Sequence, residues 1–146
     1  MVRKVWLPLI SAAFILTGCT HNFNDGDMVK VTIAGKKFTL EAAKATDKQR
    51  VGLSGRKNLE ADRGMLFVHD QADYLQFWMK DTLIPLQILF INGCEIVGVK
   101  EMEVAKDPAN PETIHKAASK ADKAIELNKG SVPESVIGQR IKELCE

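Results

Sequence analysis

The chain has no excess of either charge. Twenty basic residues face nineteen acidic ones, a formal net charge of +1 over 146 residues, and no polybasic stretch concentrates the cations. That balance exerts no general pull on nucleic acid, so no nucleic-acid partner is expected. Internal repeats and low-complexity tracts are lacking as well. No Ser-His-Asp motif, P-loop, zinc signature or dinucleotide fingerprint is present, so no metal and no cofactor is expected. What is there is 45% apolar and 27% charged residues. That is material for one compact domain, in a chain too short for two ordinary ones.

The first nineteen residues concern address. Arg3 and Lys4 precede an apolar run from Val5 to Leu16, interrupted only by Pro8 and Ser11. A basic end followed by a short apolar core has the signal-peptide pattern and is too short to span a bilayer comfortably. The run stops at Thr17-Gly18-Cys19, and the polar stretch Thr20 to Asp27 follows. Leu16-Thr17-Gly18-Cys19 resembles the lipobox of bacterial lipoproteins, which implies lipidation of the Cys19 sulfur, cleavage before Cys19 and acylation of the new amino end. A single acyl chain, at about 0.8 kcal/mol per buried methylene, binds a membrane marginally, whereas two or three hold firmly. Thr20 stands where lipoproteins retained at the inner membrane usually carry Asp, so an outer-membrane anchor facing the periplasm is expected. Residues 1–18 are then the signal peptide, 19–27 a polar tether and 28–146 the domain. Removing the leader leaves 18 basic against 19 acidic residues, and the mature domain has no charge-driven partner.

Setting Cys19 aside leaves Cys94 and Cys145. In an exported protein an even remainder reads as a disulfide. Two buried free thiols are the plainer alternative, and a metal pair has no CxxC spacing or clustered His behind it.

Along the domain, Met28–Ile33 and Lys37–Leu40 alternate apolar and polar residues around an Ala34-Gly35-Lys36 turn, which predicts a β-hairpin. Thr46 with Gln49 is a capping-box signature for a short helix ending at Gly55. Met65–Val68 is a continuous apolar run suited to a strand covered on both faces. A polar turn, His69–Asp73, leads into a strand over Tyr74–Met79. Leu86–Ile91 and Glu95–Val99 flank Asn92-Gly93, a strong hairpin signal. Residues 104–120, with Pro108 and Pro111, read as a long surface loop, and Lys123–Leu127 as a further strand. Ser131 with Glu134 predicts a second helix to Gly138, and Arg140–Leu144 a last strand. The expected class is α+β: one domain, a mostly antiparallel sheet and two short helices.

Several strings then match a known pattern. Gly52-Leu53 with Arg56, Arg63-Gly64-Met65-Leu66-Phe67-Val68, and Phe77-Trp78-Met79-Lys80-Asp81-Thr82-Leu83-Ile84-Pro85-Leu86 resemble the bacterial and archaeal family called domain of unknown function 192. Phe90-Ile91, Gly93, and Ala124-Ile125-Glu126-Leu127 with Gly130 continue the resemblance over roughly residues 37 to 144. It implies a compact α+β domain, often exported, and supplies no catalytic residue. Three positions depart from the family pattern. Gln87 stands where Pro-Leu-Asp is usual and cannot ionise; Ser54 replaces a frequent Met; Gly138-Gln139 replaces Gly-Asp.

Among candidate sites, His69-Asp70-Gln71-Ala72-Asp73 holds three possible metal ligands but sits where a turn belongs. His21 falls in the tether and His115 in the long loop. The better candidate is Phe77–Thr82. In a strand, Trp78, Lys80 and Thr82 share one face, and with Arg56 they would line a pocket for a small polar or anionic ligand. The plainer reading makes Trp78 core with Lys80 passing over it. The leading function is therefore a lipid-anchored binding or accessory module of the cell envelope. The alternatives are an envelope hydrolase of cell-wall or glycan material, using Glu126 or Asp81, and a structural partner in an envelope complex.

Overall fold

The computed structural model describes residues 22–145. The leader and the Cys19 lipidation site lie outside the described residues. The elements are β1 (Met28–Ile33), β2 (Lys36–Ala43), α1 (Thr46–Val51), β3 (Arg63–Asp73), β4 (Gln76–Trp78), β5 (Leu86–Asn92), β6 (Glu95–Met102), β7 (Ile114–Lys116) and β8 (Ala121–Asn128). Six strands form one sheet in the order β1-β2-β3-β8-β5-β6, and β4 and β7 form a separate two-stranded ribbon. No helix among the described residues is long and apolar enough to cross a membrane.

Both faces of the central sheet are covered, which is why β5 is buried from Leu86 to Ile91 without alternating. One face presents Val31, Ile33, Leu40, Leu66, Leu89, Ile125 and Leu127 to the C-terminal segment, which returns Val132, Val136, Ile141 and Leu144. The other presents Met65, Phe67, Ile88, Phe90 and Ala124 to Leu53, Leu75 and Met79, with Leu59, Phe77 and Ile84 at the margin. Gly64 lies where β8 and β2 crowd it. A Cβ there would overlap the Glu126 carbonyl oxygen and the Leu127 and Leu40 side chains.

The mostly-β, single-domain expectation holds, but the second helix does not. Ser131 Oγ donates to Asn128 O instead of capping, and a single 3-10 turn, Glu134–Val136, follows. The final strand is likewise a 3-10 turn, Lys142–Leu144, with one isolated bridge from Arg140 to Glu95. Pairing is not uniformly antiparallel: β2 and β3 run parallel, because α1 and the loop after it carry the chain back before β3 begins.

Two further corrections bear on the site. His69–Asp73 is no turn but the continuation of β3, bulged between Val68 and Asp73. Part of the stretch read as a tether belongs to the domain. Phe23 is buried, and Asp25 accepts hydrogen bonds from the Lys44 and Ala45 amides at 2.6 and 3.0 Å, fixing the chain just before α1, whose N-terminus has no side-chain cap.

Candidate functional site

The ribbon sits over the second face of the sheet and is pinned to it from inside. The Phe77 ring packs edge-on to Phe67 at 5.0 Å and tilted against Phe90 at 6.0 Å. Leu75 and Met79 are buried on either side. The strand period therefore runs through 75–80, beyond the formal limits of β4, with odd residues inward and even residues outward. Trp78 is 44% exposed and Tyr74 46%. The Lys80 ammonium lies 5.4 Å from the Trp78 ring centroid, and the Lys116 ammonium 5.7 Å from that of Tyr74, both within cation–π range.

Trp78 and Lys80 thus come together on one exposed face, as the alternation requires. Thr82 and Arg56 do not join them. Asp81 adopts φ +52, which ends the alternation and turns Thr82 inward; it is buried, with its hydroxyl 3.2 Å from the Lys80 carbonyl. Arg56 is held at 2.7 Å by Glu41, whose carboxylate also takes Lys48 at 2.8 Å. Those two cations, Lys48 first, keep the Glu41 carboxyl below its usual range. The loops that carry these two residues are clasped by others. The Ser54 hydroxyl donates to the Lys80 carbonyl and the Gly55 amide to the Asp81 carbonyl, each at 2.8 Å. Ser54, one of the departures from the family pattern, is thus a tie in this chain.

Two clefts open on the surface. One of about 440 Å³ lies under the 103–113 loop, between Met79 and His115. The other, about 570 Å³, lies between Phe38, Leu59 and Lys129. Trp78, Lys80, Thr82 and Arg56 line neither of these two clefts; Trp78 and Lys80 lie on an exposed surface. Sequence reasoning missed Tyr74 as Trp78's counterpart and missed β7 altogether. Tyr74 was legible as one more outward step of the same period. Ile114–Lys116 gave no signal between its proline-rich flank and Ala117-Ala118.

Glu126 and Asp81, the acid–base candidates of the enzyme reading, are not placed alike. Glu126 is buried on the ribbon-side face, directly between Met65 of β3 and Ile88 of β5. Burial pushes its carboxyl up to about 8. Asp81 is exposed at the turn. His69 and His115 are both lowered by burial, His115 also by Lys100. The side chains of His69–Asp73 alternate along a strand, so they do not converge as a ligand set.

Gln87 is fully used where the family usually has Asp. Its amide nitrogen donates to Glu101 at 2.7 Å and to the Val132 carbonyl at 2.9 Å, and its oxygen accepts the Val132 amide at 3.0 Å. A carboxylate could donate to neither acceptor and would face Glu101. Gln87→Asp should therefore cost about 2 to 3 kcal/mol in urea unfolding. Adding Glu101→Gln should recover part of the loss. An unchanged midpoint in the single variant would show that the Gln87–Val132 tie does not hold the C-terminal segment down.

Cys94 and Cys145 form a disulfide with their Cα atoms 4.9 Å apart, inside the bridging range. Gln139 supplies another tie in that region, its carbonyl accepting the Ile96 amide at 2.9 Å and its side chain the Ala34 amide at 3.1 Å.

Set beside known proteins, the fold is shared. A crystal structure from Sinorhizobium meliloti 1021, described as a proposed transcription regulator, is 27% identical, with a TM-score of 0.69; the match covers 83% of this chain and 97% of that one. A protein of unknown function from Novosphingobium aromaticivorans DSM 12444 is 29% identical with a TM-score of 0.57, over 70% of this chain and 73% of the other. No curated protein matches. The family model for domain of unknown function 192, described as uncharacterized ACR, matches residues 29–142, which takes in the clasp, the ribbon and the central sheet. The chain belongs to the domain of unknown function 192 family.

Proposed function

We propose that this chain is a lipid-anchored binding module of the bacterial cell envelope, held through Cys19 and contacting a polar or anionic ligand through Trp78 and Lys80. The observation that carries the binding reading is the exposed Trp78 ring with the Lys80 ammonium over it. A large aromatic left half exposed on a strand otherwise pinned to the core offers stacking area, and the adjacent ammonium offers charge-assisted hydrogen bonds. The basic–apolar–small–Cys leader supports the address, and the Cys94–Cys145 bridge fits an oxidising compartment. The hydrolase alternative is the weaker one, because Glu126 lines neither cleft and no second catalytic group accompanies it. The regulator description of the Sinorhizobium relative is not carried over, since a balanced charge gives no footprint for nucleic acid.

Radiolabelled palmitate fed to the expressing cells should label the wild-type chain and not Cys19→Ser, which should stay unprocessed or soluble. Equal labelling of both would remove the anchor. Detergent-extracted full-length protein should sediment with purified, lipid-free cell-wall material. Lys80→Ala should lower the bound fraction while shifting stability by less than about 1 kcal/mol. A Lys80 variant that binds fully would take this face out of the site, and one that unfolds early would make it structural.

A further inference from the structure

The outward side of the ribbon is longer than one ring. In register, Trp78 stands opposite Ile114 and Gln76 opposite Lys116, so the exposed surface runs from Tyr74, at a tight turn before β4 where the Leu75 amide donates to the Asp73 carbonyl, through Gln76 and Trp78 to Lys80 just past its end, with Lys116 and Ile114 beside it. It carries two ammoniums, and the carboxylates nearest in sequence, Asp73, whose Oδ1 accepts the Tyr74 amide at 2.7 Å, and Asp81, stand at its two ends. A third ammonium, Lys100 of β6, reaches the Lys116 carbonyl at 2.7 Å and ties the ribbon to the sheet edge. Tyr74 and Trp78 are the two aromatic residues among the exposed large side chains of the described residues, and each has its own lysine over the ring.

Four positions separate the rings, at most about 13 Å at the rise of an extended chain. One ring-sized ligand cannot cover both. A chain of ring-shaped repeats can, stacking one repeat on each aromatic while its acidic groups meet the lysines. Resting on the reading of the Trp78 face as the binding surface, we propose that its occupant is an anionic polysaccharide chain. It would lie along β4 with carboxylated sugars over Tyr74 and Trp78 and their carboxylates on Lys116 and Lys80. Stacked bases on a phosphate backbone would also suit alternating rings. The envelope address proposed above, carried by the basic–apolar–small–Cys leader, favours a polysaccharide over such a strand. Two linked contacts on a pinned platform gain from effective concentration, so a polymer is held where its monomer is not.

The test uses the full-length protein in nonionic detergent and beads coupled to polygalacturonate, dextran or oligo(dT). Retention is expected on polygalacturonate, falling with salt, with little on dextran. Tyr74→Ala and Trp78→Ala should each weaken it about tenfold, Tyr74→Phe should retain it, and free galacturonate should compete only at far higher concentration than the polymer. Melting curves identify any variant that has lost its fold. Tyr74→Phe and Lys116→Ala then supply the test through the exposed face alone. Tyr74→Ala without effect, together with equal competition by the monomer, would overturn the polymer and leave a one-ring site at Trp78. Tighter retention on oligo(dT) would overturn the ligand class. Failure of Trp78-dependent retention both here and on cell-wall material would overturn the binding reading itself.

Discussion

Glu126→Gln should make the protein more stable at pH 7 by about 3 kcal/mol and change it little below pH 4.5. The carboxyl lies in the middle of a covered apolar face, opposite Met65 and Ile88, and burial alone raises it from 4.5 to about 8. No ion pair among the described residues offsets the cost of charging it. Between pH 4.5 and 8 the folded chain therefore keeps a proton that the unfolded chain has released, and stability falls as pH rises. The fall is at most about 1.4 kcal/mol per unit and about 5 kcal/mol across the window. Below pH 4.5 both states are protonated and the carboxyl differs little from the amide. Other groups run the opposite way. His69 and His115 are lowered by burial and Glu41 by Lys48 and Arg56; each adds stability as pH rises through its range. Charged residues of neighbouring strands share Glu126's row, Glu41 on β2 beyond Met65 and Lys100 on β6 beyond Ile88, each one strand removed. The difference between wild type and variant, from urea unfolding at pH 5, 6.5 and 8, isolates the one carboxyl. Parallel profiles would mean that water or a moving cover solvates Glu126 in the folded state.

The same residue shows how far a linear reading reaches. That Glu126 belongs to a strand follows from its apolar neighbours Ile125 and Leu127. That it points into the core does not, because the partner strands, and with them the second covered face, come from distant parts of the chain. Period-two patterns placed β1 and β2, apolar runs around the Asn92-Gly93 turn placed β5 and β6, the apolar stretch at 123–127 placed β8, and the alternation at 77–80 placed Trp78 and Lys80 on a common face. Those signals are local, since each is read within one strand or its adjoining turn. What failed was nonlocal. The chain just before α1 is held by Asp25, some twenty residues upstream, so the Thr46–Gln49 signature pointed to a helix for the wrong reason; Gln49 spends its amide on the Ala43 and Val68 carbonyls. His69–Asp73 has turn composition, yet it extends β3 because the end of β3 rejoins β8 at Asp73 and Ala121 after a bulge. Thr82 left the expected face through a single backbone angle at Asp81, and residue type does not announce a left-handed aspartate.

Reducing the Cys94–Cys145 bridge should cost about 4 kcal/mol and loosen one cover of the sheet. The bridge spans 51 residues, a loop enclosing β6, β7 and β8, and the entropy of closing a loop of that length sets the figure. Around it the C-terminal segment is already laid against β6 and the turn before it. Gly138 N donates to Ile96 O, and Ile141 N to Cys94 O, both at 2.8 Å. Val136, Ile141 and Leu144 fill the face beneath. Reduction therefore should not unfold the chain in water. It should lower the urea midpoint and speed amide exchange in residues 132–145 before it affects the β5–β8 pairing, because the segment has only short 3-10 turns of its own to hold it. A Cys94→Ala/Cys145→Ala chain should match the reduced wild type and ignore reductant. Unfolded without reductant, the wild-type chain should yield no titratable thiol from either residue. Two free thiols, or a wild-type midpoint indifferent to dithiothreitol, would show that the paired cysteines are packed thiols, and the C-terminal segment would then be held by Gln87, Gln139, these backbone bonds and its apolar contacts.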